Sequence, residues 1–371
     1  MVLSVAEIGG LSEHQVASWL FGSFFLNGLL TIVFSLVHRL PLVFFWTIPG
    51  TVLIGPALGH LTMPEVVGAY LATGVLMLVL GLSGRVGRMM RLIPMPIVMA
   101  MVAGVFLKFG TDLIVALNDT WRLALPMTSV FFLFTALPGI GRRIPPLIAA
   151  MLTGALIVAI GGDAPTVTSG ALLPDGWIQA IAHPILYQPA FSMAAMIELV
   201  VPLAITVLIV QNGQGFAVLE ASGHETPLDS VAAACGATSI ATAFVGTVST
   251  CLTGPASALV THSGESRRHY SSAAFTGMLA LGFGLLAPLF TRVMLGLPGA
   301  FIATLAGLAM LRVLQHAFAT AFGGRFGFGA LVSFLVTVAG LPLAGVGAPF
   351  WGIVFGVAAS ALIERKDFAA G

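Results

Sequence analysis

Apolar residues dominate the chain in long segments that short polar breaks separate. An α-helix needs roughly 20 apolar residues to cross a bilayer core about 30 Å thick, and about thirteen segments approach that pattern. The two segments at 49–60 and 252–263 are too short to cross alone. The pattern predicts helices at 14–37, 49–60, 64–83, 94–117, 127–139, 144–160, 193–219, 228–245, 252–263, 272–291, 298–319, 328–340 and 346–363.

The composition makes lipid the solvent for most of these segments. Hydrophobic residues account for 58% of the chain and charged residues for 8%, whereas soluble domains have about 25% charged residues. The net charge of +1 gives no reason to expect nucleic acid as a partner. Cys235 and Cys251 lie in apolar segments outside any metal-ligand cluster, so we expect no metal and no cofactor. The sequence predicts an all-α polytopic membrane protein.

The basic residues predict the orientation of the chain, because Lys and Arg favour cytoplasmic loops. If the loop after the first helix is cytoplasmic, most of the 15 basic residues lie inside. Arg122 and Arg292 then lie outside, and Lys108 and Arg312 lie within membrane segments. This orientation places the C-terminus in the cytoplasm.

The chain contains an internal repeat at an offset of 203 or 204 residues. Residues 103–104 (AG) correspond to 306–307 (AG), and Gly50 in one short segment corresponds to Gly254 in the other. Because the first half has an odd number of crossings, the two halves run in opposite directions. We therefore expect a seven-plus-seven inverted repeat with two interrupted half-helices, which is typical of transporters.

The repeat offset also predicts that the first helix is truncated. The helix at 193–219 should have a partner at roughly −10 to 16, most of which precedes Met1. A start codon assigned too late or a shortened chain would explain this, and a genuine thirteen-crossing variant is the alternative.

The two short segments follow irregular stretches, which are tolerated inside a bilayer only where they line a cavity or are buried in protein. Residues 44–51 read FFWTIPGT and residues 246–254 read GTVSTCLTG. We interpret each as an extended stretch followed by a half-helix, whose N-terminal N–H groups can bind an anion. Ordinary kinks are the alternative. The predicted binding residues in these stretches are Trp46, Thr47, Gly50, Thr51, Ser249, Thr250, Thr253 and Gly254.

The helix predicted at 193–219 carries Gln211, Asn212 and Gln214 well inside its length. Side-chain amides are costly in lipid unless they face a cavity or bond to neighbouring helices. We predict that Gln211 and Asn212 contribute to substrate binding, and hydrogen bonding between helices is the alternative.

Ionisable groups inside membrane segments are functional candidates by default. Asp112, Glu198 and His316 are our candidates for proton coupling. Asp112 follows Lys108 by four residues, so a structural ion pair that holds helices together is the alternative. For Glu198, the alternative to proton coupling is a position at the outer membrane interface. For His316, the alternative is a packing role in which its side chain is hydrogen-bonded.

Four short motifs resemble the benzoate:proton symporter family of the BenE type, and the similarity extends from about residue 6 to residue 365. The combination is more specific than any single motif. The motifs are residues 17–20 (ASWL), 46–50 (WTIPG), 211–212 (QN) with 217–219 (AVL) downstream, and 268–270 (RHY).

The resemblance implies the fold of nucleobase:cation symporters and sulfate permeases. It implies a core domain of residues 1–90 and 193–295 and a gate domain of residues 91–192 and 296–371. Nucleobase carriers have an acidic residue near the position of Gln211, so the neutral amide here suits an anionic substrate better. The chain departs from the family where it reads VSTC at 248–251 instead of an Asn-containing stretch.

We therefore expect a secondary active transporter, not an enzyme, that moves benzoate or a similar small carboxylate with a proton across the inner membrane. Its partners would be the carboxylate, the proton and the lipid bilayer, and a homodimer is compatible with this architecture. A nucleobase or inorganic-anion carrier and an anion channel are the alternatives. The carboxylate is expected between the two half-helix N-termini, with Trp46 or Phe45 against its ring.

Overall fold

The computed structural model describes residues 2–89, 94–137, 139, 144–160, 177–261, 265–341, 343 and 348–369. The first half contains α1 (Val2–Ile8), α2 (Glu13–His38), β1 (Phe44–Trp46), α3 (Ile48–Ala57), α4 (Met63–Leu82), α5 (Val86–Met89), α6 (Met95–Asp119), α7 (Trp121–Ala136) and α8 (Pro146–Ile160). The second half contains α9 (Met193–Ala221), α10 (Leu228–Ala243), β2 (Thr250–Leu252), α11 (Gly254–Thr261), α12 (His269–Leu285), α13 (Ala287–Leu295), α14 (Gly299–Phe322), α15 (Gly327–Ala339), α16 (Ala348–Ile363) and α17 (Arg365–Ala369).

This element order confirms the predicted helical membrane fold, although α1, α5 and α17 were not predicted and one predicted span is divided. Within the described residues, five helices, α2, α4, α6, α9 and α14, are each long and apolar enough to cross a membrane. The span predicted at 272–291 is instead divided by a bend of 69° between α12 and α13. Pro288 lies in the first turn of α13, where its missing N–H and ring prevent a continuous helix. The basic residues Arg91, Arg142 and Arg143 lie outside the described residues.

The helices pack in pairs that combine the two halves of the chain. Helix α4 packs along α10 and α2 along α12, while α6 packs against α14 and α15. The pairs α7–α8 and α15–α16 lie beside the group formed by α6, α14 and α15, at equivalent places in the repeat. The half-helix α3 packs on α1 as α11 packs on the end of α9. These correspondences confirm the inverted repeat.

Glycines allow two of these helix pairs to approach closely. Helices α2 and α12 cross at Gly28 and Gly277, where a Cβ on Gly277 would press on Ile32 and on the carbonyl of Gly28. In α10, a Cβ on Gly236 would collide with the backbone of Leu78 in α4. Small residues at such crossings are the usual basis of helix association in membranes, because lipid removes the hydrophobic driving force between helices.

Two buried histidines connect the segment after α9 to the start of α12. The Nε2 atom of His224 lies 3.0 Å from Nδ1 of His269. Burial lowers the pKa of His224, and the neighbouring His269 lowers it further. The folded protein therefore favours the neutral form of His224.

We predict that Gly277→Val destabilises the protein by about 1 to 3 kcal/mol, because the added methyl groups overpack the α2–α12 crossing. Gly282→Val on the same helix is the matched control, since a Cβ there meets nothing within 4 Å. Thermal unfolding of the purified protein in detergent, followed by tryptophan fluorescence, measures both. Equal effects of the two substitutions would contradict the close crossing.

We predict that acid destabilises the protein in part through His224. Because its pKa is lower in the folded state, the unfolded chain binds the proton first, and stability is lost as the pH falls below the ordinary histidine pKa. His224→Gln should reduce the drop in unfolding temperature between about pH 7.5 and about pH 5.5. His183→Gln at an exposed position should leave the drop unchanged, and the reverse result would contradict this account.

Candidate substrate site

A two-stranded antiparallel ribbon, β1 and β2, lies between the two half-helices. Phe45 is opposite Cys251 and Trp46 is opposite Thr250. The Thr47 N–H donates to the carbonyl of Ser249 at 3.0 Å, and the ribbon also brings Thr253 opposite Val43. Helix α3 begins at one end of the ribbon and α11 begins at the other. This confirms the predicted pattern of an extended stretch followed by a half-helix in each repeat.

Side chains of α2 satisfy the free edge of β1. The hydroxyl of Thr31 accepts a hydrogen bond from the Phe44 N–H at 2.9 Å and contacts the Phe44 carbonyl at 3.2 Å. One turn away, the hydroxyl of Ser35 donates to the carbonyl of Leu42 at 3.0 Å. These buried hydroxyls replace the water that a strand edge would otherwise bind, which the membrane interior does not supply.

Side chains of α9, α10 and α2 perform the same role for β2. Asn212 Oδ1 accepts the N–H of Leu252 at 2.8 Å. Ser239 Oγ accepts the N–H of Thr250 at 2.9 Å. The Thr250 hydroxyl donates to Asn27 Oδ1 at 2.7 Å. The structure thus gives Asn212 and Thr250 positioning contacts within the ribbon, and Asn27 and Ser239 are supporting residues that the sequence reasoning missed.

Gln211 differs from Asn212 although the two are adjacent. Its side chain is buried but forms no hydrogen bond with any described residue. It ends the π-helical turn Thr206–Gln211, which packs against β2. An unpaired buried amide beside the ribbon is available for a ligand.

The N-terminus of α3 has little capacity left for an anion. Thr47 caps the helix by accepting the Gly50 N–H at 3.2 Å, and its carbonyl accepts the Thr51 N–H at 2.9 Å. Pro49 has no N–H. Only the N–H of Ile48 in this first turn lacks a partner among the described residues.

The N-terminus of α11 retains more unpaired donors. The N–H groups of Gly254 and Ala256 have no partner among the described residues. The buried hydroxyls of Thr253 and Ser257 are also unpaired. Because buried polar groups are usually hydrogen-bonded, this turn is a candidate anion-binding position. Ser257 was not among the predicted binding residues.

The ribbon separates the two half-helix N-termini. Thr47 is opposite Ser249 and Thr253 is opposite Val43, so the two starts are four residue steps apart along the ribbon. At about 3.4 Å per residue this separation is roughly 13 Å. A small carboxylate cannot contact both N-termini at once, so the donors form two positions and not the single one expected between them.

An aromatic cluster surrounds the end of the ribbon next to α3. The Phe24 ring lies 5.0 Å from Trp46, 5.7 Å from Phe45 and 4.3 Å from Phe283. Phe283 in turn stacks on Phe290 at 3.9 Å. The indole N–H of Trp46 and the hydroxyl of Ser249 are buried without partners beside this cluster. The contributions of Phe24 and Phe283 were not predicted, because they come from separate helices.

Both predicted glycines lie close to α9. A Cβ on Gly50 would collide with Thr47 and Leu203, and a Cβ on Gly254 would press on Gln214. The absence of a side chain therefore allows each half-helix to pack closely on its neighbours.

A cavity of about 870 Å³ lies beside α3, between α1 and α9 on one side and α6, α14, α15 and α16 on the other. Val52, Leu53 and Pro56 of α3 line it, whereas the predicted binding residues around the ribbon do not. The ionisable lining residues are Glu7, His60, Lys108, Asp112 and Glu198.

The proton-coupling candidates occupy different environments. Glu198 is buried, and its Oε2 lies 2.8 Å from Nε2 of His60. Asp112 forms an ion pair with Lys108 at 3.0 Å, and both residues line the cavity. Because both lie on α6, this ion pair does not join two helices. His316 is exposed and forms no described contact with Arg312. His60 was missed, because its partner Glu198 is distant in sequence.

The inverted repeat, the interrupted helices and the buried unpaired donors define a membrane transporter. Its family is shown by comparison: residues 1–362 match the BenE family model, described as benzoate membrane transport protein. The chain belongs to this family, which confirms the resemblance seen in the motifs.

Two relatives match almost the entire chain. The inner membrane protein YdcO of Escherichia coli (strain K12) is 29% identical over 361 residues, which cover 96% of this chain and 89% of the relative. A benzoate membrane transport protein of Acinetobacter baylyi is 28% identical over 359 residues, which cover 95% of this chain and 88% of the relative.

Solved structures share the fold at low sequence identity. The murine anion transporter Slc26a9, in an inward-facing state, has a TM-score of 0.58 and 14% identity, and the match covers 98% of this chain and 66% of that one. The transmembrane domain of the cyanobacterial bicarbonate transporter BicA has a TM-score of 0.57 and 14% identity, covering 96% and 97%. These matches support the predicted inverted-repeat fold.

We predict that Asn212→Ala and Gln211→Ala have different effects on stability. Asn212→Ala leaves the Leu252 N–H buried and unpaired, which should cost about 1 to 3 kcal/mol. Gln211→Ala breaks no described hydrogen bond and should change stability by less than about 1 kcal/mol. Thermal unfolding of the two purified variants without ligand measures this difference. A larger loss for Gln211→Ala would show that its amide is structural.

Proposed function

We propose that this protein is a proton-coupled symporter of benzoate or a similar aromatic carboxylate in the inner membrane. The proposal rests on one observation. Unpaired hydrogen-bond donors and aromatic rings lie together at one end of the ribbon. Membership of a benzoate transport family supports the same substrate class.

The donors suit a carboxylate group. The indole N–H of Trp46, the hydroxyl of Ser249 and the N–H of Ile48 are unpaired among the described residues, and all three lie at the end of the ribbon where β1 joins α3. Hydrogen bonds from neutral donors to an anion are stronger than those between neutral groups, and they need no buried cation. Gln211 is the further candidate from α9.

The rings suit the aromatic part of the substrate. Phe24, Phe45, Trp46 and Phe283 are all partly buried, so each keeps some accessible surface. Aromatic rings pack favourably edge-to-face or offset at centroid distances of about 4.5 to 7 Å. In this proposal the benzoate ring contacts Phe24 and Phe283, while the carboxylate faces Ser249.

Transport would follow from motion between two domains. We propose that residues 1–90 and 193–295 form a core domain that carries the ribbon, and that residues 91–192 and 296–371 form a gate domain. The paired packing of α2, α4, α10 and α12, and of α6, α14 and α15, supports this division. The C-terminus would lie in the cytoplasm, and two copies would form a homodimer.

An inorganic-anion carrier is a second candidate. Two solved structures of this fold are named as an anion transporter and a bicarbonate transporter. The start of α11 has its own unpaired N–H groups and hydroxyls, and these donors would suit a small anion.

A calorimetric titration with four compounds distinguishes these substrates. We expect benzoate to bind, and cyclohexanecarboxylate, which has the charge but no aromatic ring, to bind more weakly. Benzamide, which has the ring without the charge, should not bind measurably. Bicarbonate binding without benzoate binding would instead support the inorganic-anion carrier.

We predict that Trp46→Phe weakens benzoate binding about tenfold, or about 1.4 kcal/mol, because it removes the N–H donor and keeps an aromatic ring. Stability should remain within about 1 kcal/mol, since the indole N–H has no partner in the protein. Trp121→Phe, at an exposed position, is the matched control. Unchanged affinity in the folded Trp46→Phe protein would remove Trp46 from the binding site.

A further inference from the structure

We propose that His60 and Glu198 together form the proton-binding site of this transporter, and that the proton enters from the cavity beside α3. This inference rests on the proposed symport function. It assigns proton coupling to this pair of residues. His60 follows α3, and α3 begins at the proposed substrate site.

Glu198 is placed where its charge needs a partner. It is 6% exposed and lies in the π-helical turn Met196–Val200 of α9. Its single described hydrogen bond is the 2.8 Å contact with His60 Nε2. A buried carboxylate needs a hydrogen-bonded or charged partner, and the imidazole of His60 is the described group that can supply one.

His60 provides the route to the cavity. It is 43% exposed, and both members of the pair line the cavity. Nδ1 of the imidazole has no described partner. When Nε2–H donates to Glu198, the incoming proton binds Nδ1 and the pair becomes an imidazolium and a carboxylate; the same proton leaves from Nδ1 on release. Histidine is the side chain that changes charge between about pH 5 and 8.

The charges around the pair explain why proton uptake would assist an anion. Glu7 and Asp112 line the same cavity, Asp112 is neutralised by Lys108, and Glu65 is close enough to interact electrostatically with His60. With His60 neutral, acidic groups outnumber basic groups among the described lining residues of this cavity, and their charge disfavours a carboxylate at the other end of α3. Protonation of His60 cancels the charge of Glu198 and weakens that repulsion.

The position of His60 links the proton to the substrate. His60 N–H bonds to the carbonyl of Ala57, the last residue of α3. The start of α3 adjoins Trp46 and Ser249. A movement of α3 therefore carries the proposed proton site and substrate site together. A cation at a helix C-terminus is also stabilised by the helix dipole.

The first test uses no substrate. Difference infrared spectra of the purified protein, recorded between about pH 7.5 and about pH 5.5, should show protonation of a histidine together with a perturbed carboxylate. The carboxylate signal should disappear in both His60→Gln and Glu198→Gln. The histidine signal should only decrease in His60→Gln, because the chain contains eight histidines. Glu7→Gln, another carboxylate of the same cavity, should retain them. Spectra of His60→Gln that match those of the wild type would overturn the proposal.

The second test uses radiolabelled benzoate and proteoliposomes. Glu198→Gln should reduce accumulation driven by an inward proton gradient by about tenfold or more, yet keep benzoate exchange without a gradient, because the amide imitates a neutral site. Glu7→Gln should retain both activities. Gradient-driven accumulation by Glu198→Gln at the wild-type level would refute the proton site. If the wild type shows the infrared signals but transports no benzoate, the proton site stands and the proposed substrate fails.

Discussion

The hydrogen bonding of a two-stranded ribbon inside the membrane is the constraint on which the site depends. A helix satisfies its own backbone, but β1 and β2 each leave one edge unpaired, and lipid offers no partner. Thr31, Ser239 and Asn212 supply the missing partners from three different helices. These three buried polar side chains therefore perform the same role. They fix α2, α9 and α10 around the ribbon and so determine where the unpaired donors of the site lie.

The architecture was predictable because its signals are local or periodic. Long apolar segments gave most of the helices, and the repeat of Gly50 at Gly254 identified the two half-helices. The irregular stretch around Trp46 predicted an extended conformation, since Pro49 favours a helix start immediately after it. Each of these features depends on neighbouring residues or on a fixed offset, so no knowledge of tertiary contacts was required.

The site was predictable only in part, because its chemistry depends on contacts between distant segments. Sequence could not distinguish Asn212, which bonds to Leu252, from Gln211, which has no partner. The pairing of His60 with Glu198 joins two helices that are far apart in the chain. The bend before α13 was also missed, since a proline in an apolar run can lie at a kink or at a new helix start, and packing decides between them.

The π-helical turns have a consequence for how this chain can vary. Each such turn contains one residue more than an α-helical turn, and each residue corresponds to about 100° of rotation around the axis. Helix α9 contains two, at Met196–Val200 and Thr206–Gln211. Removing a single residue from the second turn would rotate the preceding part of α9 about the helix axis relative to Asn212. Glu198 would then point away from its present neighbours. The chain can therefore exchange side chains in α9 far more readily than it can change length there.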